Sequence, residues 1–259
     1  DGTLQCWQPA GVASLGAIPA GRFLSVATGA THACALRSDG QAVCLGSNAQ
    51  GQTSAPTGVR FVALTVGHQY SCGLREDGGI SCWGLNDTNQ LAAPAGRYTA
   101  LSAGRAHTCA RTVDGNTRCW GGTNSRNERL VPYYDFVSLN VGAGEACGLD
   151  YDGNATCVGN PTALRPAVGR YKALSFGATT ACAIGRDDRV SCWGASLGAS
   201  PTDRMSAISV GTTHACALRI DGSVACWGDN AGGQATPPAG RFYFVSSGDG
   251  FSCGIRENS

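Results

Sequence analysis

Fourteen cysteines are the residues of this 259-residue chain with the most definite chemistry. Thiols at such density either pair as disulfides or hold a metal, and their spacing tells the two apart. Six pairs stand ten residues apart: Cys34 with Cys44, Cys72 with Cys82, Cys109 with Cys119, Cys147 with Cys157, Cys182 with Cys192, and Cys216 with Cys226. Cys6 and Cys253 are left to pair with each other. Zinc sites favour close pairs such as Cys-x-x-Cys, and the chain has none, so no metal is expected.

The elements that must position these thiols are hairpins. Asp39-Gly40, Asp77-Gly78, Asp114-Gly115, Asp152-Gly153 and Asp221-Gly222 each lie midway between two paired cysteines, and Asp-Gly is a strong hairpin signal. Residues equidistant from such a turn face each other on antiparallel strands, with Cα atoms about 4.5 Å apart and within disulfide reach. One bridge per hairpin follows. On the chain-entropy argument a loop of about ten residues contributes roughly 2.5 to 3 kcal/mol, and closure from Cys6 to Cys253 about 5. The fifth hairpin has Asp187-Asp188 instead of Asp-Gly, which leaves its turn type open.

The hairpins recur. The first cysteine of each unit falls at Cys34, Cys72, Cys109, Cys147, Cys182, Cys216 and Cys253, in steps of 38, 37, 38, 35, 34 and 37 residues. Seven units of this period predict an all-β, seven-bladed propeller forming one domain. The blades are expected over about 21–57, 58–95, 96–133, 134–168, 169–202 and 203–239, with the seventh made of 240–259 plus 1–20. The two terminal half-repeats thereby share one blade and close the ring, with Cys6 and Cys253 as a covalent lock. The 38 Gly and 10 Pro suit short strands joined by tight turns, and no apolar run is long enough to enter a membrane.

The unit Gly-x-x-His-x-Cys-Ala-Leu-x-x-Asp-Gly-x-x-x-Cys-Trp-Gly is complete from Gly211 to Gly228 and nearly so from Gly29 to Gly46. It resembles the regulator of chromosome condensation repeat, and the resemblance covers essentially the whole chain. It implies four-stranded blades, with Gly51-Gln52 and Gly233-Gln234 leading into the fourth strand; units four and five lack that Gln. The best-known intracellular member of the family is an exchange factor for a Ran-type GTPase. Cysteine pairs in every blade do not suit the cytosol or nucleus, so that activity is not carried over. Secreted, cysteine-bearing versions, such as the crinkly-type ectodomains of receptor kinases, are closer in character and are binding modules.

Other repeated residues have plainer roles open to them. His32, Tyr70, His107, Glu145, Thr180, His214 and Phe251 share one position, two residues before the first cysteine, and could form a binding rim at the mouth of a central channel. The plainer role is a hydrogen-bonding turn residue. Trp7, Trp83, Trp120, Trp193 and Trp227 all follow a second cysteine and read as packing between blades; Leu45 and Val158 stand there in units one and four. Arg22, Arg97, Arg170 and Arg241, each between a glycine and an aromatic, read as stems packed across a neighbouring blade rather than anion sites. The irregular stretch 122–132 breaks the sameness of the units and is where a specific partner would engage. Asn86-Asp87-Thr88 and Asn154-Ala155-Thr156 are N-glycosylation sequons.

Function is bounded more than it is named. With 19 basic against 18 acidic residues, scattered, the chain offers no stripe for nucleic acid. No nucleophile motif or phosphate-cradling loop stands apart from the repeat, so neither catalysis nor a cofactor is expected. A disulfide framework belongs to an oxidising compartment, and the chain is expected to be extracellular, secreted or at the cell surface. It starts in mid-repeat without a signal peptide and reads as a mature or excised domain. The expected role is a non-catalytic module binding a protein or glycan through a propeller face. The alternatives are a structural subunit of a self-assembling surface or filament, and a secreted enzyme or enzyme inhibitor.

Overall fold

The computed structural model describes residues 2–8, 15–123, 136–159, 164 and 166–257. Its regular structure is twenty-one strands in seven antiparallel sheets of three. Blade one is β2 (Phe23–Thr28), β3 (His32–Arg37) and β4 (Ala42–Gly46); blade two is β5 (Phe61–Val66), β6 (Tyr70–Arg75) and β7 (Ile80–Gly84). Blade three is β8 (Tyr98–Ala103), β9 (His107–Thr112) and β10 (Thr117–Gly121); blade four is β11 (Ser138–Val141), β12 (Glu145–Leu149) and β13 (Ala155–Gly159). Blade five is β14 (Tyr171–Phe176), β15 (Thr180–Gly185) and β16 (Val190–Gly194); blade six is β17 (Met205–Val210), β18 (His214–Arg219) and β19 (Val224–Gly228). The seventh sheet takes β20 (Phe242–Ser247) and β21 (Ser252–Arg256) from the C-terminus and β1 (Leu4–Trp7) from the N-terminus.

Seven such sheets make a β-propeller. The blades have three strands among the described residues, not the four that the family resemblance implies. The segment after β4 shows why: its backbone bonds are local, with Gly51 N on the Asn48 carbonyl and Ser54 N on that of Gly51. Asn48 Oδ1 also accepts Thr53 N, Gly51 and Gly58 sit at φ 79° and 73°, and Pro56 has no N–H to donate. A segment curled on itself in this way cannot also run as a ladder strand.

Each hairpin between the second and third strands is a three-residue loop. Gly40 N bonds the Arg37 carbonyl and Arg37 N that of Gln41, with Gly40 at φ 84°, which is a type I turn closed by a left-handed residue. Asp39 Oδ1 caps the loop by accepting Gln41 N. The fifth hairpin has the same shape, and Asp188 occupies the glycine's place at φ 67°. Its carboxylate is gripped by Lys172 and by Arg204, ion pairs that offset the cost of a side chain in this conformation.

The core lies between blades. Leu36 of blade one packs with Phe61 and Trp83 of blade two, Leu74 of blade two with Tyr98 and Trp120 of blade three, and Leu218 of blade six with Phe242 and Trp7 of blade seven. Ile255 and Leu4 of blade seven pack with Phe23 of blade one. Phe23, Phe61 and Phe242 are 1%, 2% and 1% exposed, each burial contributing about 2 to 3 kcal/mol. Backbone bonds join the blades too: the first aromatic of a blade donates its N–H to the hairpin glycine of the blade before, as Phe61 to Gly40, Tyr98 to Gly78 and Phe242 to Gly222.

Candidate functional site

Disulfides join Cys6 to Cys253, Cys34 to Cys44, Cys72 to Cys82, Cys109 to Cys119, Cys147 to Cys157, Cys182 to Cys192 and Cys216 to Cys226. All seven link directly opposed residues, with Cα atoms 4.0 or 4.1 Å apart. Among the described residues no group of three His, Cys, Asp or Glu could hold a metal ion.

The supposed rim is buried. His32, Tyr70, His107, Glu145, Thr180, His214 and Phe251 are each at most 3% exposed. They stand at the start of the second strand of each blade, Phe251 one residue before it, and His32, Tyr70 and His214 reach into the next blade. His32 Nε2 bonds Ser71 Oγ at 2.9 Å and His214 Nε2 bonds Ser252 Oγ at 2.7 Å. Tyr70 donates to the His107 carbonyl at 2.8 Å, and its hydroxyl lies 2.9 Å from Thr108 Oγ1. Thr180 Oγ1 donates to the Ala195 carbonyl within its own blade. Burial holds the imidazoles of His32 and His214 down at about 4 and pushes the Tyr70 phenol up.

The side chains at the channel mouth stand two residues earlier: Ala30, His68, Arg105, Ala143, Ala178, Thr212 and Asp249. Residues here range from alanine to arginine and aspartate, but the buried position two residues on varies as much, so the repeat gives no signal that singles out the mouth position. The glycine before it is required by packing. A Cβ on Gly104 would lie 1.8 Å from the Gly142 carbonyl oxygen, and one on Gly177 2.0 Å from that of Gly211. Blades therefore meet glycine to glycine around the axis. Burial and the charge of Arg105 lower the pKa of His68, partly opposed by Asp249. The cavity at the mouth holds about 130 Å³, below the roughly 300 Å³ at which ligand pockets begin.

Deeper in the channel a belt of hydroxyls is already engaged. Thr65 Oγ1 accepts Ala103 N, Ser102 Oγ accepts Val141 N, Ser175 Oγ accepts Val210 N, Ser209 Oγ accepts Ser247 N, and Ser246 Oγ accepts Thr28 N. These bonds satisfy amides of the inner strands, which have no further strand to pair with. The channel is structural in its chemistry.

Tryptophan forms a clasp between blades. Trp83 Nε1 donates to the Gln52 carbonyl at 2.9 Å, Trp120 to Gln90 at 2.8 Å and Trp7 to Gln234 at 3.1 Å, each reaching the loop of the preceding blade. Those glutamines are buried, and their Oε1 atoms accept backbone N–H groups of their own loops. Unit five lacks the glutamine, and Trp227 Nε1 has no partner among the described residues. The arginine stems lie over the hairpin glycine of the blade before: a Cβ on Gly78 would lie 3.4 Å from Arg97 Cβ. Arg241 and its counterpart Arg60 close ion pairs with Glu257 and Glu76 of their own blades.

The surface is uneven. Among the described residues nine large apolar side chains are exposed, and seven of them lie at the hairpin end of the blades. Leu24, Val62, Val137 and Tyr243 directly follow Phe23, Phe61, Phe136 and Phe242 at or just before the start of the first strand, and Val113, Tyr151 and Ile220 stand in hairpin loops. In six blades, all but blade four, a register shift follows the residue that opens the first strand, an aromatic in five and Met205 in blade six, and the residue next to it is turned outward, as Leu24 is between Phe23 and Ser25. Tyr243 reaches across to blade one, its hydroxyl donating to the Phe23 carbonyl beside Leu24. Asn86 and Asn154 are exposed. Asn86 Oδ1 accepts Leu91 N, the bond that Asn48 and Asn230 make in their loops, and Asn154 donates to Asp150. Positions 124–132 of the irregular stretch lie outside the described residues.

The profile of the regulator of chromosome condensation (RCC1) repeat matches residues 23–52 and 205–234. These two segments are RCC1-type repeats. A comparison with curated proteins gives no match. Among solved structures it is similar to the CRINKLY ectodomain of the Arabidopsis thaliana receptor kinase ACR4, at 26% identity and TM-score 0.78, covering 91% of this chain and 92% of that one. The entire ectodomain of the Physcomitrella patens receptor kinase CR4 is also 26% identical, with TM-score 0.75 over 90% of this chain and 70% of that one. Prp20p from Saccharomyces cerevisiae shares the fold at 14% identity and TM-score 0.80, over 99% and 92% of the two chains. The propeller thus carries buried clasps between its blades and most of its exposed large apolar groups at their hairpin end.

Proposed function

We propose that this RCC1-type propeller is a non-catalytic recognition module that works outside the cell and holds a protein partner on the hairpin end of its blades. The observation that carries this reading is the gathering of Leu24, Val62, Val137, Tyr243, Val113, Tyr151 and Ile220 at that end. Apolar side chains concentrated on one face mark interaction surfaces, whereas scattered ones do not. Three of them, Tyr243, Leu24 and Val62, fall on consecutive blades seven, one and two. Seven disulfides support an oxidising setting, since such frameworks do not persist in the cytosol. The similarity to receptor-kinase ectodomains supports the same setting.

In this reading β1 and the Cys6–Cys253 bond close the ring, so that the face keeps its shape when a partner pulls on it. Asn86 and Asn154 are proposed as glycan acceptors, and intact-mass measurement of secreted protein before and after glycosidase treatment tests them.

The binding test sets two variants against the wild type as immobilised bait for secreted proteins of the source organism. Leu24→Asp with Val62→Asp charges the face, and His68→Ala with Arg105→Ala alters the channel mouth. A partner retained by the wild type should be lost by the first variant and kept by the second, with circular dichroism showing both folded. The opposite pattern would move the site to the channel mouth and overturn the reading.

A further inference from the structure

Blades four and five enclose a pocket of about 460 Å³ on the hairpin face, within the range of sites that hold small ligands. Val137, Asp150, Tyr151, Tyr171, Lys172 and Arg186 supply its chemistry. Tyr151 stands at the tip of the blade-four hairpin and is 74% exposed, a flat ring open on its face. Tyr171 is fixed edge-on against Trp193 and donates its hydroxyl to the Ala167 carbonyl. Arg186 reaches from the blade-five hairpin to donate one Nη to the Asp152 carbonyl at 2.6 Å, which holds the guanidinium in place and leaves its other donors toward solvent.

Charge in the pocket is mixed and ordered. Lys172 shares the Asp188 carboxylate with Arg204, so two cations face one anion there. Asp150 accepts the backbone and side-chain N–H groups of Asn154 at 2.8 and 2.9 Å. It stays an ionised acceptor with lone pairs to spare. No other blade carries this combination: the counterparts of Tyr151 are Ser38, Glu76, Val113, Arg186, Ile220 and Glu257, and Lys172 is the only lysine of the chain.

We propose that this pocket binds a saccharide bearing one carboxylate per ring, of the uronic acid class. The C–H face of a pyranose lies on Tyr151, its hydroxyls take Asp150 as acceptor and Arg186 as donor, and its carboxylate meets Lys172 and Arg186. An acidic peptide would use the cations but would be repelled by Asp150 and would leave the aromatic ring uncovered. This site goes beyond the protein-binding reading and shares Val137 and Tyr151 with its apolar face, but that reading is tested at Leu24 and Val62 on blades one and two, so either can fail alone.

The single lysine supplies the test. Reductive methylation with ¹³C-formaldehyde keeps the charge and labels one side chain, Lys172, beside the α-amine. The labelled protein is titrated with a glucuronic acid trisaccharide, its methyl ester, and a glutamate tripeptide, and calorimetry repeats each titration on unlabelled protein. The acidic sugar should shift the Lys172 signal saturably, the ester should bind about ten-fold more weakly, and Tyr151→Ser should cost about ten-fold in affinity for the acid. Absence of saturable binding in both measurements, an equal or stronger response to the peptide, or full affinity in Tyr151→Ser would each overturn the proposal.

Discussion

Acid should destabilise this propeller at two identifiable points, His32 and His214. Both imidazoles are fully buried and hydrogen-bonded to a serine of the next blade, and burial holds each at about 4 instead of 6.5. A depressed histidine is neutral in the folded protein while the unfolded chain takes up a proton below 6.5. Stability from this source is therefore complete above about pH 7, falls as the pH drops through 6.5, and levels off below about 4. At pH 5 the linkage amounts to about 2 kcal/mol for each histidine, approaching a little over 3 at the plateau. The assay is chemical denaturation with the disulfides intact, at about pH 7.5 and about pH 5, of the wild type and of the double variant His32→Gln with His214→Gln. Carboxylates contribute to the pH dependence of both proteins and cancel in the comparison. The wild type should lose about 4 kcal/mol more than the variant across this interval. In a parallel NMR titration the two ring C–H signals should stay in their neutral positions until near pH 4. Equal pH dependence of the two proteins, or imidazoles that titrate near 6.5, would refute the reasoning.

Replacing Cys6 and Cys253 together by alanine should cost about 3 to 5 kcal/mol, and more than replacing Cys34 and Cys44, because the loop released spans nearly the whole chain; thermal melts of the two double variants order them. Trp120→Phe removes an indole bond to Gln90 that Trp227→Phe does not, so the first should be less stable than the second by about 1 kcal/mol in denaturant titrations. Gly228→Ala should destabilise by well over 1 kcal/mol, since φ is 104° and the new Cβ would lie 2.6 Å from the Thr213 carbonyl oxygen. Gly233→Ala, with φ 87° and open space around it, should cost only the backbone strain. Asp188→Ala should lower the melting temperature, and less so in high salt, because it keeps a side chain at φ 67° but gives up Lys172 and Arg204.

Local rules made much of the scaffold legible. A ten-residue cysteine spacing about an Asp-Gly turn names both partners of a disulfide, because the register of a tight hairpin is set by its own loop. Seven repeats name the blades, and a leftover half-unit at each end names the pairing of β1 with β21. Asp187-Asp188 was ambiguous in sequence because either a glycine or an aspartate can take the left-handed place; Lys172 and Arg204, which make the aspartate tolerable, come from elsewhere in the chain.

The sequence by itself thus determined the hairpins, their disulfides and the seven-fold period, all of which depend on residues a few positions apart or on the repeat itself. Tertiary structure alone decided what each equivalent position faces. His32 and His68 both precede a first cysteine, yet one is sealed against Ser71 and the other stands at the channel mouth, because the neighbouring blade covers the start of the second strand but not the loop before it. Leu24 and Val26 are both apolar and two residues apart in one strand, yet the register shift after Phe23 turns Leu24 to solvent at 53% exposure and leaves Val26 at 2%. The clasp from Trp83 to Gln52 and the pocket between Tyr151 and Lys172 arise only where one blade meets the next, and packing between blades, not propensity within one, places those side chains.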